Sequence, residues 1–248
     1  MGRIARLYRH PVKGVGFERL DAVQLLAGRT LPLDRAWAVA QDGAAVTGDW
    51  ARCLNFVRGA KGPSLMAVRA RVDGDEVVLT HPDRPMIRLN PDVDGEALVN
   101  WLKPIYPGNR PAPARVVRAT GQGMTDASQP FVSILSMASL ADLSARAGHD
   151  LEPERFRGNI WLDGFDPWAE WDWIGRGIRV GDAVLMVEER IGRCRATGAS
   201  PVTGREDTDM LGLLEAHWGH TDFGVFARVV EGGRVAAGDA VRIVGPDR

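Results

Sequence analysis

Residues 177–194, GIRVGDAVLMVEERIGRC, decide the fold. Apolar side chains recur at Ile178 and Val180, then at Ala183, Leu185 and Val187, with Gly181-Asp182 between the two runs. A period of two residues places alternate side chains on one face of a strand, so the stretch reads as a hairpin whose second strand leads to Cys194. The same period spreads outward in both directions. FGVFARVVEGGRVAAGDAVRIV (223–244) predicts further strands around Gly232-Gly233, and SLMAVRARVDGDEVVLTHP (64–82) predicts a hairpin turning at Asp73-Gly74. RIARLYRHPVKG (3–14) and LPLDRAWAV (31–39) are short apolar runs between turns. RFRGNIWLDG (155–164) reads as another strand, with Arg155, Arg157 and Asn159 on one face.

Helical spacing is confined to three places. VDGEALVNWLKP (93–104) is stopped by Pro104; SILSMASLADLSARAG (133–148) has Ser139 as a cap and Gly148 as a stop; DTDMLGLLEAHWG (207–219) is amphipathic. The expected class is mainly β with a few helices, two β-barrel-like units rather than a doubly wound sheet. YPGNRPAPARVV (106–117) is rich in Pro and Gly and reads as the linker, dividing the chain into 1–110 and 111–248.

Composition narrows the function. The 248 residues carry 31 basic and 32 acidic side chains, so no nucleic-acid partner is expected from bulk charge, although a local basic face can hide in a neutral total. No run approaches the ~18 apolar residues of a membrane span, and the first residues lack a signal-peptide core, so a cytoplasmic protein without a membrane partner is expected. No P-loop or paired Cys-x-x-Cys occurs, and Gly14-Val15-Gly16 lacks the third glycine of a dinucleotide loop. Only Lys13, Lys61 and Lys103 are lysine, so 28 of the basic residues are arginine, the side chain suited to bidentate grip on oxyanions.

Cys194, flanked by Arg190, Arg193 and Arg195, is the candidate reactive thiol, because neighbouring guanidinium groups favour a thiolate. Packing as a small apolar side chain is the alternative, and it is the expected role of Cys53 in WARCLNFV. His217 and His220 lack a nearby third ligand for zinc. Trp161, Trp168, Trp171 and Trp173 read as core packing or as an aromatic wall for a flat substrate.

The ordered set RHPVKG, LPLDRAWAV, ILSMASLADL, RFRGNIWLDGFDPWAEWDW, IGRCRATGASPVTG and FGVFARVVEGGRVAAGDAV resembles the MOSC family with its N-terminal barrel domain. Within that family the resemblance points to the amidoxime-reducing and cofactor-sulfurase branch. It implies a molybdenum cofactor (molybdopterin) in a cleft between the two domains, with Cys194 as the catalytic thiolate on molybdenum. It further implies cofactor contacts from Lys13, Arg35, Ser136, Arg157, Asn159, Arg193 and Thr197, and pyridoxal phosphate binding is a further description attached to the family. The activity implied is reduction of N-hydroxylated small molecules, with electrons from a separate reductase, since the chain carries no flavin, haem or iron–sulfur motif. A non-catalytic carrier of cofactor or of persulfide sulfur on Cys194 is the alternative. Gly14, Gly158 and Gly192 depart from the family pattern, which often has serine, proline and serine there, and Ser200 stands where Asp precedes proline.

Overall fold

The computed structural model describes residues 1–245. The strands of the first half are β1 (Gly2–Arg9), β2 (Glu18–Leu20), β3 (Ala22–Leu25), β4 (Trp37–Gln41), β5 (Arg69–Asp73), β6 (Glu76–His81) and β7 (Arg84–Leu89), followed by helix α1 (Gly95–Leu102). Then come β8 (Pro113–Arg118), β9 (Phe131–Ser136), α2 (Met137–Ala147), β10 (Ile160–Asp163), β11 (Gly177–Val180) and β12 (Ala183–Gly192). The chain continues through α3 (Met210–Trp218), β13 (Asp222–Glu231), β14 (Gly233–Ala236) and β15 (Ala240–Val244).

Seven strands close a barrel in the order β10-β9-β13-β12-β11-β15-β1, with β1 pairing back onto β10. The mainly β architecture expected from the period-two runs is therefore the observed one. Every barrel pairing is antiparallel except β9 with β10, which are parallel and joined through α2. That crossover explains why all six residues of β9 are buried: one face lines the barrel, the other lies under the helix. Ile4, Leu7, Ile134, Ile160, Ile178, Leu185, Val187, Val225 and Val241 fill the interior, each at most 1% exposed. Burial on that scale contributes roughly 1.5–3 kcal/mol per side chain before conformational entropy is charged against it.

β2 extends the sheet from β1, β3 and β14 form a two-stranded ribbon packed on the barrel, and the other strands form a smaller unit beside it. β4 pairs with β8, β5-β6-β7 form a meander turning at Gly74, and α1 packs on β7 and β8 around Trp37, Leu79, Leu98 and Trp101. Strand pairing thus links both sides of the 110/111 division, since β1 sits in the barrel and β8 in the smaller unit.

Three local expectations are corrected. Pro113–Arg118 is a strand and not a linker; residues 119–130 make the passage instead. Arg155 to Asn159 is not a strand: Pro153–Phe156 form a 3-10 turn, Arg157 takes a left-handed conformation, and β10 starts only at Ile160. The cap of α2 is Ser136, whose Oγ accepts from the Ser139 amide. No helix among the described residues is long and apolar enough to cross a membrane.

Candidate functional site

Leaving the barrel after β1, residues 10–15 run beside 35–37. The Arg35 amide donates to the His10 carbonyl (2.6 Å), the Lys13 amide to Trp37 (2.7 Å) and the Trp37 amide to Pro11 (3.1 Å). Lys13 and Arg35, 22 residues apart in sequence, are thereby set on adjacent strips of backbone. Arg157 joins them from the barrel side: its guanidinium donates to the carbonyls of Gly16 (2.7 Å) and Val12 (3.4 Å), while its own carbonyl accepts from Arg35 (2.9 Å). Arg35 and Arg157 both have φ of 50°, two of four non-glycine residues in the left-handed region among the described residues. Such conformations cost of order 1–3 kcal/mol and persist where surrounding structure holds them.

Arg193 reaches the same place from the end of β12. Nε donates to the Phe223 carbonyl (2.8 Å) and Nη1 to Phe156 (2.9 Å), with the guanidinium against both of those stacked rings. Gly224, with φ of 78°, lies beneath it, where a Cβ would stand 2.7 Å from the Ile134 carbonyl oxygen and 3.3 Å from Arg193 Nη2. Next in the chain, Cys194 is exposed, and its carbonyl accepts from Thr197 Oγ1 (2.9 Å) in the following turn. Of the arginines flanking the cysteine in sequence, Arg190 turns to Trp171 and His220, and the exposed Arg195 lies 4.0 Å from Glu206.

The electrostatics bind this group together. Burial and the neighbouring Arg35 push Arg157 down to about 9, with Asp34, Asp126 and Cys194 opposing. Burial likewise pushes Arg193 down to about 9, with Cys194 and Asp126 opposing. Arg157 and Arg193 thus each feel Arg35, Asp126 and Cys194, while Lys13 joins the group through its ion pair with Asp126.

Sequence reasoning missed the carboxylates of this cleft. Asp34 is 2% exposed, and it accepts from the His10 amide (2.7 Å) and pairs with Arg35. Burial alone would raise its pKa, but Arg35 and His10 together hold it well below the carboxylate range. His10 is pushed down to about 3 by burial and by Arg35 and Arg157, so the 3.2 Å contact with Asp34 is a hydrogen bond from a neutral imidazole. Asp126, on the passage between β8 and β9, meets Lys13 Nζ at 2.6 Å. Its side chain is 73% exposed, and the Lys13 ammonium, together with Arg35 and Arg157, holds its pKa down. A partner 113 residues away leaves no local signal in sequence.

Other predicted residues have their polar groups engaged inside the fold. Ser136 caps α2. Asn159 staples the barrel seam: Oδ1 accepts from Ser133 Oγ (2.8 Å) and Nδ2 donates to the Tyr8 carbonyl (3.3 Å). Cys53 is exposed beside Arg58, not packed in the core, because its 3-10 turn has no buried residue. Trp161 and Trp173 are core residues, while Trp168 and Trp171 stack outside the barrel with Trp218 and His220. No group of three metal-ligating side chains occurs among the described residues.

The departing glycines differ. Gly14 has φ of 70°, and a Cβ there would stand 2.8 Å from Arg58 Cα; at Gly158 it would meet Leu135 at 2.1 Å. At Gly192 the nearest atom is Asp222 Oδ1 at 3.6 Å, so only this position has room for the family's side chain.

Two family models match the chain: the MOSC N-terminal beta barrel domain over residues 1–101 and the MOSC domain over 122–242. Human mitochondrial amidoxime-reducing component 1 is 27% identical, covering 82% of this chain and 68% of that protein. Among solved structures, the YUAD protein of Bacillus subtilis is 14% identical with a TM-score of 0.49, covering 99% of this chain and 97% of the other. YiiM of Escherichia coli is 16% identical with a TM-score of 0.36, covering 47% and 55%.

Proposed function

This chain belongs to the MOSC family, carrying the N-terminal barrel domain ahead of the MOSC domain; on that premise we propose that it is a molybdenum-cofactor oxidoreductase that reduces N-hydroxylated small molecules. What supports the reading is a group of cations, in which Lys13, Arg35, Arg157 and Arg193 all lie within electrostatic reach of Asp126, and the last two within reach of an exposed thiol. Arg157 and Arg193 are held by carbonyl oxygens alone, so their charge is oriented but not neutralised. This donor set fits an anionic, heterocyclic cofactor with a soft metal: guanidinium groups take a phosphate bidentately, and a thiolate is a preferred ligand of soft metals.

In this reading Lys13, Arg35, Arg157 and Arg193 would hold the pterin and its phosphate, and Cys194 would ligate molybdenum. When bound, the group supplies two-electron oxygen-atom chemistry that side chains lack. The overall change is R–NHOH + 2 e⁻ + 2 H⁺ → R–NH₂ + H₂O. Thr197 fixes the backbone of Cys194, and Asp34 with neutral His10 fixes Arg35. Asp126 stays ionised at neutral pH, so it orients Lys13 and does not deliver protons. The substrate class is supported by the human relative, named as an amidoxime-reducing component. Electrons come from a separate reductase, because no flavin, haem or iron–sulfur motif occurs in the sequence.

Protein made in a host that synthesises the cofactor should contain molybdenum and yield pterin fluorescence after acid oxidation. It should reduce benzamidoxime with reduced methyl viologen as donor. Cys194→Ser should lower that rate by about 100-fold or more while leaving the melting temperature unchanged, since the side chain is exposed. Full activity in this variant overturns the reading. A labile sulfur on Cys194 without molybdenum assigns a carrier role instead.

A further inference from the structure

A polar hollow, lined by Arg84 and Arg205 and by Asp83 and Glu206, lies where the smaller unit meets the barrel. Its volume is about 590 Å³, and its walls come from three loops of the smaller unit, at Gly62–Ser64, Asp83–Arg84 and Pro104–Pro107, and one barrel loop, at Gly204–Glu206. The two sides meet closely at Gly204, whose φ is 67° and where a Cβ would stand 2.7 Å from Ser64 Cα. None of the cofactor-cleft residues lines this hollow.

Its polar groups are placed for a ligand. Arg84 Nε is buried out of solvent reach without a hydrogen-bond partner, and no side-chain hydrogen bond engages the rest of its guanidinium group among the described residues. Neither Arg84 nor Arg205 has a carboxylate partner among the described residues. The charges of Arg58 and Arg110 reach Tyr106 in the same wall. Against these stand Asp83 and Glu206, the latter drawn towards Arg195 at 4.0 Å. Ser64 adds a donor. His81 Nδ1 accepts from the Asp83 amide (3.1 Å), so Nε2 carries the ring proton and points it at Ser64, 3.1 Å from both Oγ and the carbonyl. The imidazole therefore cannot serve as a base towards Ser64, and the serine hydroxyl keeps its own proton to donate.

We propose that this hollow binds a small organic phosphate, with Arg84, Arg205 and the Ser64 hydroxyl on the phosphate. Pro63, Pro104 and Pro107 lie along its organic body. Two guanidinium groups and a hydroxyl suit a tetrahedral dianion, and the volume is that of a small-molecule pocket rather than of a protein interface. The site is independent of the cofactor reading, and the two fail separately.

Calorimetric titration of the full chain with phenyl phosphate and with inorganic phosphate tests it. Saturable binding is expected, with phenyl phosphate tighter by about tenfold because the proline walls cover the ring. Arg84→Gln and Arg205→Gln should each weaken phenyl phosphate by about tenfold or more, whereas Arg157→Gln in the cofactor cleft should leave it unchanged. Arg205 is exposed, so its variant keeps the test intact even where Arg84→Gln misfolds. Absence of saturable binding, insensitivity to Arg205→Gln, or loss with Arg157→Gln alone overturns the proposal. So does tighter binding of hexaglutamate than of phenyl phosphate, which would mark the hollow as a surface for an acidic protein.

Discussion

Arg155 and Arg157 are two residues apart and have opposite surroundings. Arg155 is 2% exposed and fully answered: its guanidinium grips Asp207 at 2.6 and 2.8 Å and Glu152 at 2.5 Å. Arg157 turns the other way, into a cleft where carbonyl oxygens orient it and other arginines surround it. The 3-10 turn followed by one left-handed residue separates them, sending one side chain to seal a loop junction and the other to a shared basic cleft. Burial alone therefore does not mark a binding residue; the difference lies in whether a carboxylate has already neutralised the charge.

The largest expected effect tests the sealed side. Arg155→Ala removes three charge-assisted hydrogen bonds and should destabilise the fold by about 2–4 kcal/mol in urea denaturation, with Asp207 and Glu152 left half-exposed. Arg157→Gln should cost no more than about 1 kcal/mol, because it relieves repulsion from Arg35, yet it should deplete molybdenum and pterin in purified protein. Equal losses of stability in the two variants would erase the contrast.

A smaller, pH-dependent effect extends the comparison to a buried carboxylate with no cation. Glu170 is 1% exposed, and it accepts only from Ser139 Oγ among side chains. Burial pushes it up to about 7 from an ordinary 4.5. The folded state thus holds this proton longer than the unfolded one, and the stabilisation it provides declines as pH rises from about 4.5 to 7. Glu170→Gln should remove that decline, so its melting temperature should gain on the wild type across this window and run parallel above it. The buried pair of His10 and Asp34 slopes the other way. With His10 lowered to about 3 and Asp34 below its ordinary range, the folded state gives up protons that the unfolded chain keeps. Stability there falls as pH drops below about 6.5, and further below about 4. His10→Gln should flatten the upper part of that acid limb.

The smallest effect is expected at Gly192→Ser. The exposed position has open space, so stability should change by less than about 0.5 kcal/mol in thermal melts. A larger loss would mean that the glycine beside Arg193 is as constrained as Gly14.

Strands were legible wherever one face is buried, because alternation then survives in sequence; β12 and β13 of the barrel and the hairpin at Gly74 in the smaller unit are examples. Two kinds of feature were not. Pro113–Arg118 is a strand only because β4 offers it a partner, a tertiary cause that outweighs its Pro-rich start. RFRGN lost its strand reading because Arg155 is pulled back onto Glu152, three residues earlier, and that contact closes a turn. In the cleft, the cations announced themselves by residue type next to turns. The carboxylates that position them, Asp34 and Asp126, look like any surface acid until the chain has folded.

The barrel seam has a consequence for synthesis. β1 spans residues 2–9, yet its partners within the barrel are β10 and β15, more than 150 and 230 residues further along, and only β2 is local. At about 5–20 residues per second, a ribosome would release the first strand roughly 8–30 s before residue 160 emerges to pair with it. During that interval β1 has only β2 to pair with, through Leu7, Tyr8 and Arg9, and Ile4, buried in the finished barrel, has no barrel strand opposite it. The nascent chain therefore completes its smaller unit first and closes the barrel last, a late step that a molecular chaperone is suited to guard.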